Sequence, residues 1–271
     1  MRNSVGYIVG FAAVVCIFCS LFVSSTAVVL KPLQDANKLL DKQQKVLAVS
    51  GLTAEGSTPS AEEVDALFKD FIDVQVLNME TGAIDENSGI PDPISYNQLK
   101  ASKGASTSFA SDGKDAGRAR VFRIPNYITI YTIKDEDDLP SLYVLPVEGM
   151  GLWGTMYGFV ALDKDLKTIR GLTFYQHKET PGLGAEVDNP NWKAKWPGRL
   201  AFDDSGKVVI EVIKGPAGSP AETPHKVDGL SGATLTSNGV TYLLRFWLGK
   251  EAFGPYLDTL RESTSTEGSD A

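Results

Sequence analysis

Asp228-Gly229-Leu230-Ser231-Gly232-Ala233-Thr234 is a run of small residues that ends in a hydroxyl. Directly after it, Val240, Leu243, Leu244 and Trp247 recur at the spacing of one helix face. The run is therefore a tight turn that delivers Thr234 close to a helix N-terminus. Unpaired backbone N–H groups and the positive end of the macrodipole collect there, which suits a phosphate. Ser231 and Thr234 offer hydroxyls, and Gly232 and Ala233 leave room for the backbone to approach a ligand. An ordinary cap, with Thr236 or Ser237 as N-cap, accounts for the same residues and is the commoner outcome on composition alone.

Two more glycine-rich stretches stand out. His177-Lys178-Glu179-Thr180-Pro181-Gly182-Leu183-Gly184-Ala185-Glu186 follows the strand-like Ile169–Tyr175 run. Pro181-Gly182 signals a turn and Gly184 permits close backbone packing. His177, alone on a loop, reads as a solvated surface residue. Gly149-Met150-Gly151-Leu152-Trp153-Gly154 precedes another strand, Tyr157–Leu162, and reads as a hairpin entry with Trp153 in the core. Lys214, at the end of the Lys207–Ile213 strand, reads as a solvated base.

Val5 to Leu30 contains no charged residue and follows Arg2, which is length enough for a bilayer span. A cleaved secretion signal competes, because Ser24-Ser25-Thr26-Ala27 resembles a cleavage region. The apolar run exceeds a usual signal core and continues through Val28, Val29 and Leu30, so we read an uncleaved single-pass anchor. Lys31, Lys38, Lys42 and Lys45 follow the span, and a simple positive-inside count places the rest of the chain in the cytoplasm. That rule weakens for long translocated domains. Cys16 and Cys19 share a face of the span at i, i+3; helix packing is the expected role, with a ligand pair for an intramembrane iron site as the alternative.

A net charge of -8 over 271 residues argues against nucleic-acid binding, which depends on a basic surface. Two His and two Cys are too few for a protein-only metal site, and no metal is expected. Asp135-Glu136-Asp137-Asp138 reads as a solvated loop. Leu33–Val49 is a helix leading out of the membrane, and Ser60-Ala61-Glu62-Glu63 is a capping box that opens a helix with Val64, Leu67, Phe68, Phe71 and Ile72 on one face. Strands are expected at Asp73–Met79, Val121–Ile124, Tyr127–Ile133, Leu142–Val147, Tyr157–Leu162, Ile169–Tyr175 and Lys207–Ile213, with Gly82–Gly117 irregular. The closing helix ends near Gly249. The expected layout is a short terminus (1–4), a span (5–30), a juxtamembrane helix and linker (31–59), one α+β domain with a central antiparallel or mixed sheet (60–260), and a disordered polar tail (261–271).

The Asp228–Thr234 run matches a flavinylation motif: Asp, two variable residues, Ser or Thr, Gly, Ala and a terminal Thr. With Glu-Thr-Pro-Gly-Leu-Gly (179–184), the Gly-Leu-Trp-Gly turn and the anchor, it resembles the FMN-carrying subunits of two membrane complexes. These are the C subunit of the sodium-translocating NADH:quinone oxidoreductase and the G subunit of the Rnf-type ferredoxin:NAD oxidoreductase. The Lys42-Gln43-Gln44-Lys45-Val46-Leu47 run and the Gly-Leu-Trp-Gly turn favour the first; the second, or a free-standing anchored flavoprotein carrier, is the alternative, and a non-redox anchored binding domain is the alternative of another class.

The resemblance implies covalent FMN on Thr234 through a phosphoester, with Asp228, Ser231, Gly232 and Ala233 completing the motif. It implies that Glu179, Thr180, Leu183 and Gly184 lie beside the flavin ring, that Trp153 helps wall the pocket, and that Lys214 neutralises phosphate or reduced flavin. It further implies other subunits as partners, a flavin transferase that uses FAD and a metal ion, no catalytic residue in the chain alone, and a bacterial inner-membrane location with the domain in the periplasm. In the sodium pump it assigns iron-binding cysteines to other subunits, and sodium translocation falls to partners as well.

Overall fold

The computed structural model describes residues 4–267, which fall into two compact units divided between Lys42 and Gln43. Helix α1 (Val5–Ser50) is continuous through Pro32, joining the expected span and the expected juxtamembrane helix. It is long and apolar enough to cross a membrane. In the first unit Phe11, Phe18 and Phe22 are exposed, as are the free thiols of Cys16 and Cys19. In the second unit the last turns of α1 bury Val46, Leu47 and Val49.

Helix α2 (Ala61–Phe71) begins at the capping box: Ser60 Oγ accepts from the Glu63 N–H at 3.3 Å, and the Glu63 carboxylate accepts from the Ser60 N–H at 2.8 Å. It buries Val64 and Phe68, while Ile72 already starts β1 (Ile72–Asn78). The segment expected to be irregular holds β2 (Ala83–Ile84), α3 (Gln98–Ala101), β3 (Ser108–Ala110) and α4 (Lys114–Ala119). These elements are too short to leave a periodic signal.

The chain then runs through β4 (Arg123–Pro125), β5 (Tyr127–Lys134), β6 (Pro140–Met150), β7 (Thr155–Asp163) and β8 (Thr168–Gln176). A 3-10 turn (Gly184–Asp188), α5 (Pro190–Lys193) and three two-residue strands follow: β9 (Arg199–Leu200), β10 (Glu211–Val212) and β11 (Lys226–Val227). Two helices close the described chain, α6 (Thr234–Trp247) and α7 (Gly254–Glu267). Of the strand expected at Lys207–Ile213, only Glu211–Val212 pairs as a ladder; Val208 makes an isolated bridge to Phe202.

Seven strands form one antiparallel sheet in the order β2-β1-β5-β6-β7-β8-β9. Alternation decides its two faces. Leu145, Val147, Val160 and Leu162 join a core with Val240, Leu243 and Trp247 of α6, Phe253 just before α7 and Leu257 within it. The other face carries Tyr131 and Phe159, edge-on to each other at 5.8 Å, with Phe68 of α2 edge-on to Tyr131 at 6.1 Å. Trp247 Nε1 donates to the Glu148 carbonyl at 2.7 Å, which fixes the axial position of α6 on the sheet. The fold is thus α+β with an antiparallel sheet, as expected. Helix α7 was not expected, and it runs through Glu262–Glu267 of the segment read as a disordered tail; residues 268–271 lie outside the described residues. Packing of Phe253, Tyr256 and Leu257 into the core anchors that helix.

Candidate functional site

Thr234 is the first residue of α6, and it is exposed. The N-cap is Ala233, whose side chain caps nothing, so neither Thr236 nor Ser237 is the cap. Both lie in the first turn with their hydroxyls turned to other segments. Ser237 Oγ accepts from the Leu230 N–H at 3.1 Å, and Thr236 Oγ1 donates to Glu179 Oε2 at 2.5 Å. A 14-residue helix therefore presents its positive end with no side-chain cap beside an exposed threonine.

Glu179 ties three segments together. It is 5 % exposed. Besides Thr236 it accepts from the Trp153 N–H at 2.9 Å and the Leu152 N–H at 3.2 Å, both in the β6–β7 hairpin loop. A buried carboxylate is tolerated because its oxygens are bonded. Gly184 closes over it: a Cβ there would stand 2.5 Å from Glu179 Oε2 and 2.7 Å from Thr236 Oγ1. His177, read from sequence as solvated, is half-buried in a chain of bonds. Its Nδ1 accepts from the Glu179 N–H at 3.2 Å, so the proton sits on Nε2, which donates to Asp188 at 2.7 Å.

The motif's own Asp228 faces inward. Its carboxylate accepts from the Ala217 N–H at 2.8 Å and pairs with Lys195 at 2.8 Å, while its carbonyl accepts from Trp192 Nε1 at 2.8 Å. Burial pushes its carboxyl up, but Lys195, the Ala217 N–H and Arg199 outweigh that and hold it below the usual carboxylate range. Gly232 takes a φ of 70°, the left-handed region that favours glycine, and a Cβ there would lie 2.9 Å from Leu183 Cδ2. Ser231 and Gly232 are exposed and Ala233 is buried. Lys214 is exposed beyond β10, and its neighbour Gly215 accepts from the Gly229 N–H at 3.0 Å, which brings that strand end beside the motif.

Trp153 is not a core residue: it is 64 % exposed, on the loop closed by Gly151 N–H to the Gly154 carbonyl at 2.8 Å. Register forces this, because the Met150–Thr155 pair ends the β6–β7 ladder and leaves Trp153 beyond the sheet. Six large apolar side chains are exposed among the described residues of 43–271, and four of them, Leu152, Trp153, Leu183 and Leu235, belong to the three tied segments. Thr180 is exposed nearby. The result is an apolar platform beside a hydroxyl and an open helix N-terminus.

Sequence reasoning missed Asp188 and Lys195, and weighed Thr236 only as a cap. One signal was available. Gly239 inside α6 is unfavourable unless something must approach closely, and a Cβ there would run into the Met150 carbonyl. No group of His, Cys, Asp and Glu suited to a metal occurs among the described residues.

Comparison with known proteins bears on the same region. The family described as the FMN-binding domain matches residues 151–249, a span running from the hairpin loop to the end of α6. The C subunit of the Na(+)-translocating NADH-quinone reductase of Pseudomonas aeruginosa is 46 % identical over 252 residues, covering 93 % of this chain and 94 % of that one. Its namesake from Yersinia pestis is 41 % identical over 268 residues, covering 98 % and 97 %. The crystal structure of NqrC from Shewanella oneidensis superposes with a TM-score of 0.74 at 30 % identity, covering 84 % of this chain and 99 % of that one.

Proposed function

Because this chain belongs to the NqrC family, the C subunits of the Na(+)-translocating NADH-quinone reductases, we propose that it is the FMN-bearing electron carrier of such a complex, with FMN joined to Thr234. What carries the reading is the uncapped N-terminus of α6 with Thr234 exposed on it, next to the platform of Leu152, Trp153, Leu183 and Leu235.

The fit to FMN is chemical. The open first-turn N–H groups of α6 and the Thr234 hydroxyl suit a phosphoester, and the nearby base Lys214 suits its charge. The apolar platform suits an aromatic ring, and the exposed hydroxyls of Thr180 and Ser231 suit its polar edge and the ribityl chain. Bound there, FMN supplies the electron-accepting and electron-donating chemistry, and the chain supplies position and electrostatics. Glu179, with its oxygens bonded to protein groups, positions Thr236 and the hairpin loop rather than pairing with the ring. Gly184 and Gly232 keep the wall close, Asp228 pins the motif from behind, and Ala233 fills the buried side of the turn.

Attachment needs no base within this chain. A flavin transferase working from FAD joins the FMN phosphorus to Thr234 Oγ; the hydroxyl proton is lost and AMP leaves. The long apolar α1 acts as an anchor, and we place the chain in the bacterial inner membrane with the domain on the periplasmic side, where such a transferase works. Other subunits supply and remove the electrons and translocate sodium.

The test is in-gel flavin fluorescence after denaturing electrophoresis, with wild type and Thr234→Ala each co-expressed with the transferase. A fluorescent wild-type band that is dark in the variant establishes the ester at Thr234. Fluorescence in both moves the attachment elsewhere. Darkness in both, with a control protein labelled, removes covalent FMN from this chain.

A further inference from the structure

A cleft of about 660 Å³ lies at the far end of α6. Arg245 on its wall is eleven residues beyond Thr234, roughly 16 Å along the helix axis. The walls come from α4, the 202–209 segment, the end of α6 and the start of α7. The cleft is therefore separate from the proposed flavin site.

Its charge opposes that of the chain. Lys114, Arg118, Lys207, Arg245, Lys250 and Arg261 line it, against Asp115, Glu251 and Asp258, a balance of +3 on a chain of net -8. Two of those acids are engaged: Asp258 bonds Arg261 at 2.7 Å and Asp115 faces Arg118 at 3.9 Å. The ammonium groups of Lys114 and Lys250 have no ion-pair or hydrogen-bond partner among the described residues, and Lys207 makes no ion pair, lying only within electrostatic reach of the Asp203 carboxylate. Arg245 pairs with Glu211 at 3.2 Å, yet its Nε–H is buried with no partner. Arg261 is held in place by the Leu166 carbonyl at 3.1 Å and the Phe202 ring at 4.6 Å. Helix α7 opens on the cleft at Gly254, with no acidic residue in its first turn.

Gathering these cations costs repulsion that an anion in the cleft relieves. The volume lies within the range of small-molecule sites. A concave space with cations on several walls fits a compact multivalent anion better than the face of an acidic protein. We propose that the cleft is a second ligand site, for a small phosphate-bearing anion of the pyrophosphate or nucleoside diphosphate class.

Inorganic pyrophosphate is the probe, titrated calorimetrically into the full flavin-loaded chain in detergent, with sodium chloride at matched ionic strength as the control. Saturable binding is expected, weakened about tenfold or more in Lys114→Gln/Lys207→Gln/Lys250→Gln. These exposed side chains are remote from Thr234, so in-gel flavin fluorescence stays at the wild-type level and separates this test from that of the flavin reading. Heat no greater than the salt control, or equal binding by the triple variant, overturns the site. So does a glutamate decapeptide that competes as well as pyrophosphate. Repeating the titration in phosphatidylcholine nanodiscs with and without phosphatidylglycerol identifies the source. Loss of binding in the anionic discs makes the ligand a lipid headgroup, and unchanged binding makes it a free phosphate compound; both uphold the site.

Discussion

The Thr236 hydroxyl donates to the Glu179 carboxylate at 2.5 Å, across 57 residues of sequence and two positions beyond Thr234. Through this bond the position of the helix N-terminus depends on the loop after β8 and on the hairpin loop that shares the same carboxylate. Glu179→Gln keeps the shape but turns an N–H donor toward at least one of three existing donors. We expect a loss of about 2–3 kcal/mol in stability together with reduced flavin loading. Thr236→Val should cost less, and the double variant less than the sum. Denaturant unfolding of the four proteins measures the coupling. An unchanged stability with a shifted flavin potential would mean that Glu179 faces the ring instead.

Gly232 and Gly182 form a matched pair. Both have positive φ, 70° and 74°, but only Gly232 has a neighbour in the way of a Cβ, Leu183 Cδ2 at 2.9 Å. Gly182→Ala should cost about 1–2 kcal/mol from the backbone alone. Gly232→Ala should cost the same and also displace Leu183, lowering flavin incorporation. The check is flavin-to-protein absorbance ratio alongside the melting temperature. Equal loading in the two variants would remove Leu183 from the platform.

Much of this arrangement was legible in the chain. The capping box at Ser60 and Glu63 acts locally, and a local rule suffices to read it. The long strands alternate because one face meets α6 and the other meets aromatic rings. The Asp228–Thr234 and Glu179–Gly184 motifs were legible as residue patterns, yet burial, which depends on tertiary packing, divides their residues between inward and outward positions. Asp228 and Glu179 turn inward on partners distant in sequence, and Trp153 turns outward because a ladder ends at Thr155. Helix α7 escaped because its mostly polar sequence, apart from Tyr256, Leu257 and Leu260, carries little periodic signal.

Lys193 is 7 % exposed and bonds Glu55 at 2.9 Å and Thr173 at 3.0 Å, holding the linker before α2 to the sheet. Removing the partner strands a buried cation, whereas removing the cation strands little. Glu55→Ala should therefore destabilise more than Lys193→Met, by about 1–2 kcal/mol after allowing for the exposed side of Glu55. Urea unfolding of both variants decides it. The reverse order would show that Lys193 stabilises through its aliphatic stem.

Glu148 gives the domain a pH dependence. Burial raises its carboxyl from 4.5 to about 7, with Lys103 pulling weakly the other way. The folded state therefore holds a proton that the unfolded state releases between these values, so stability falls as pH rises through that window and is flat above it. The full effect is on the order of 3 kcal/mol. Glu148→Gln should abolish the slope and be the more stable protein at pH 8, as chemical denaturation at pH 5 and pH 8 would reveal. A wild-type protein equally stable at both would mean that Glu148 is solvated.

Trp153 separates a wall from a structural residue. At 64 % exposure it contributes little to the fold, so Trp153→Ala should change stability by no more than about 0.5 kcal/mol. If the ring lies against the flavin, it excludes water and quenches flavin emission by contact. The variant should then show brighter native-state flavin fluorescence that iodide quenches more readily, with denaturing-gel fluorescence unchanged. Glu179 holds the Trp153 N–H at 2.9 Å, so the loop backbone should keep its place when the side chain is removed. Loss of stability with unaltered emission and iodide access would instead assign Trp153 to packing and leave Leu183 and Leu235 as the flavin's apolar contacts.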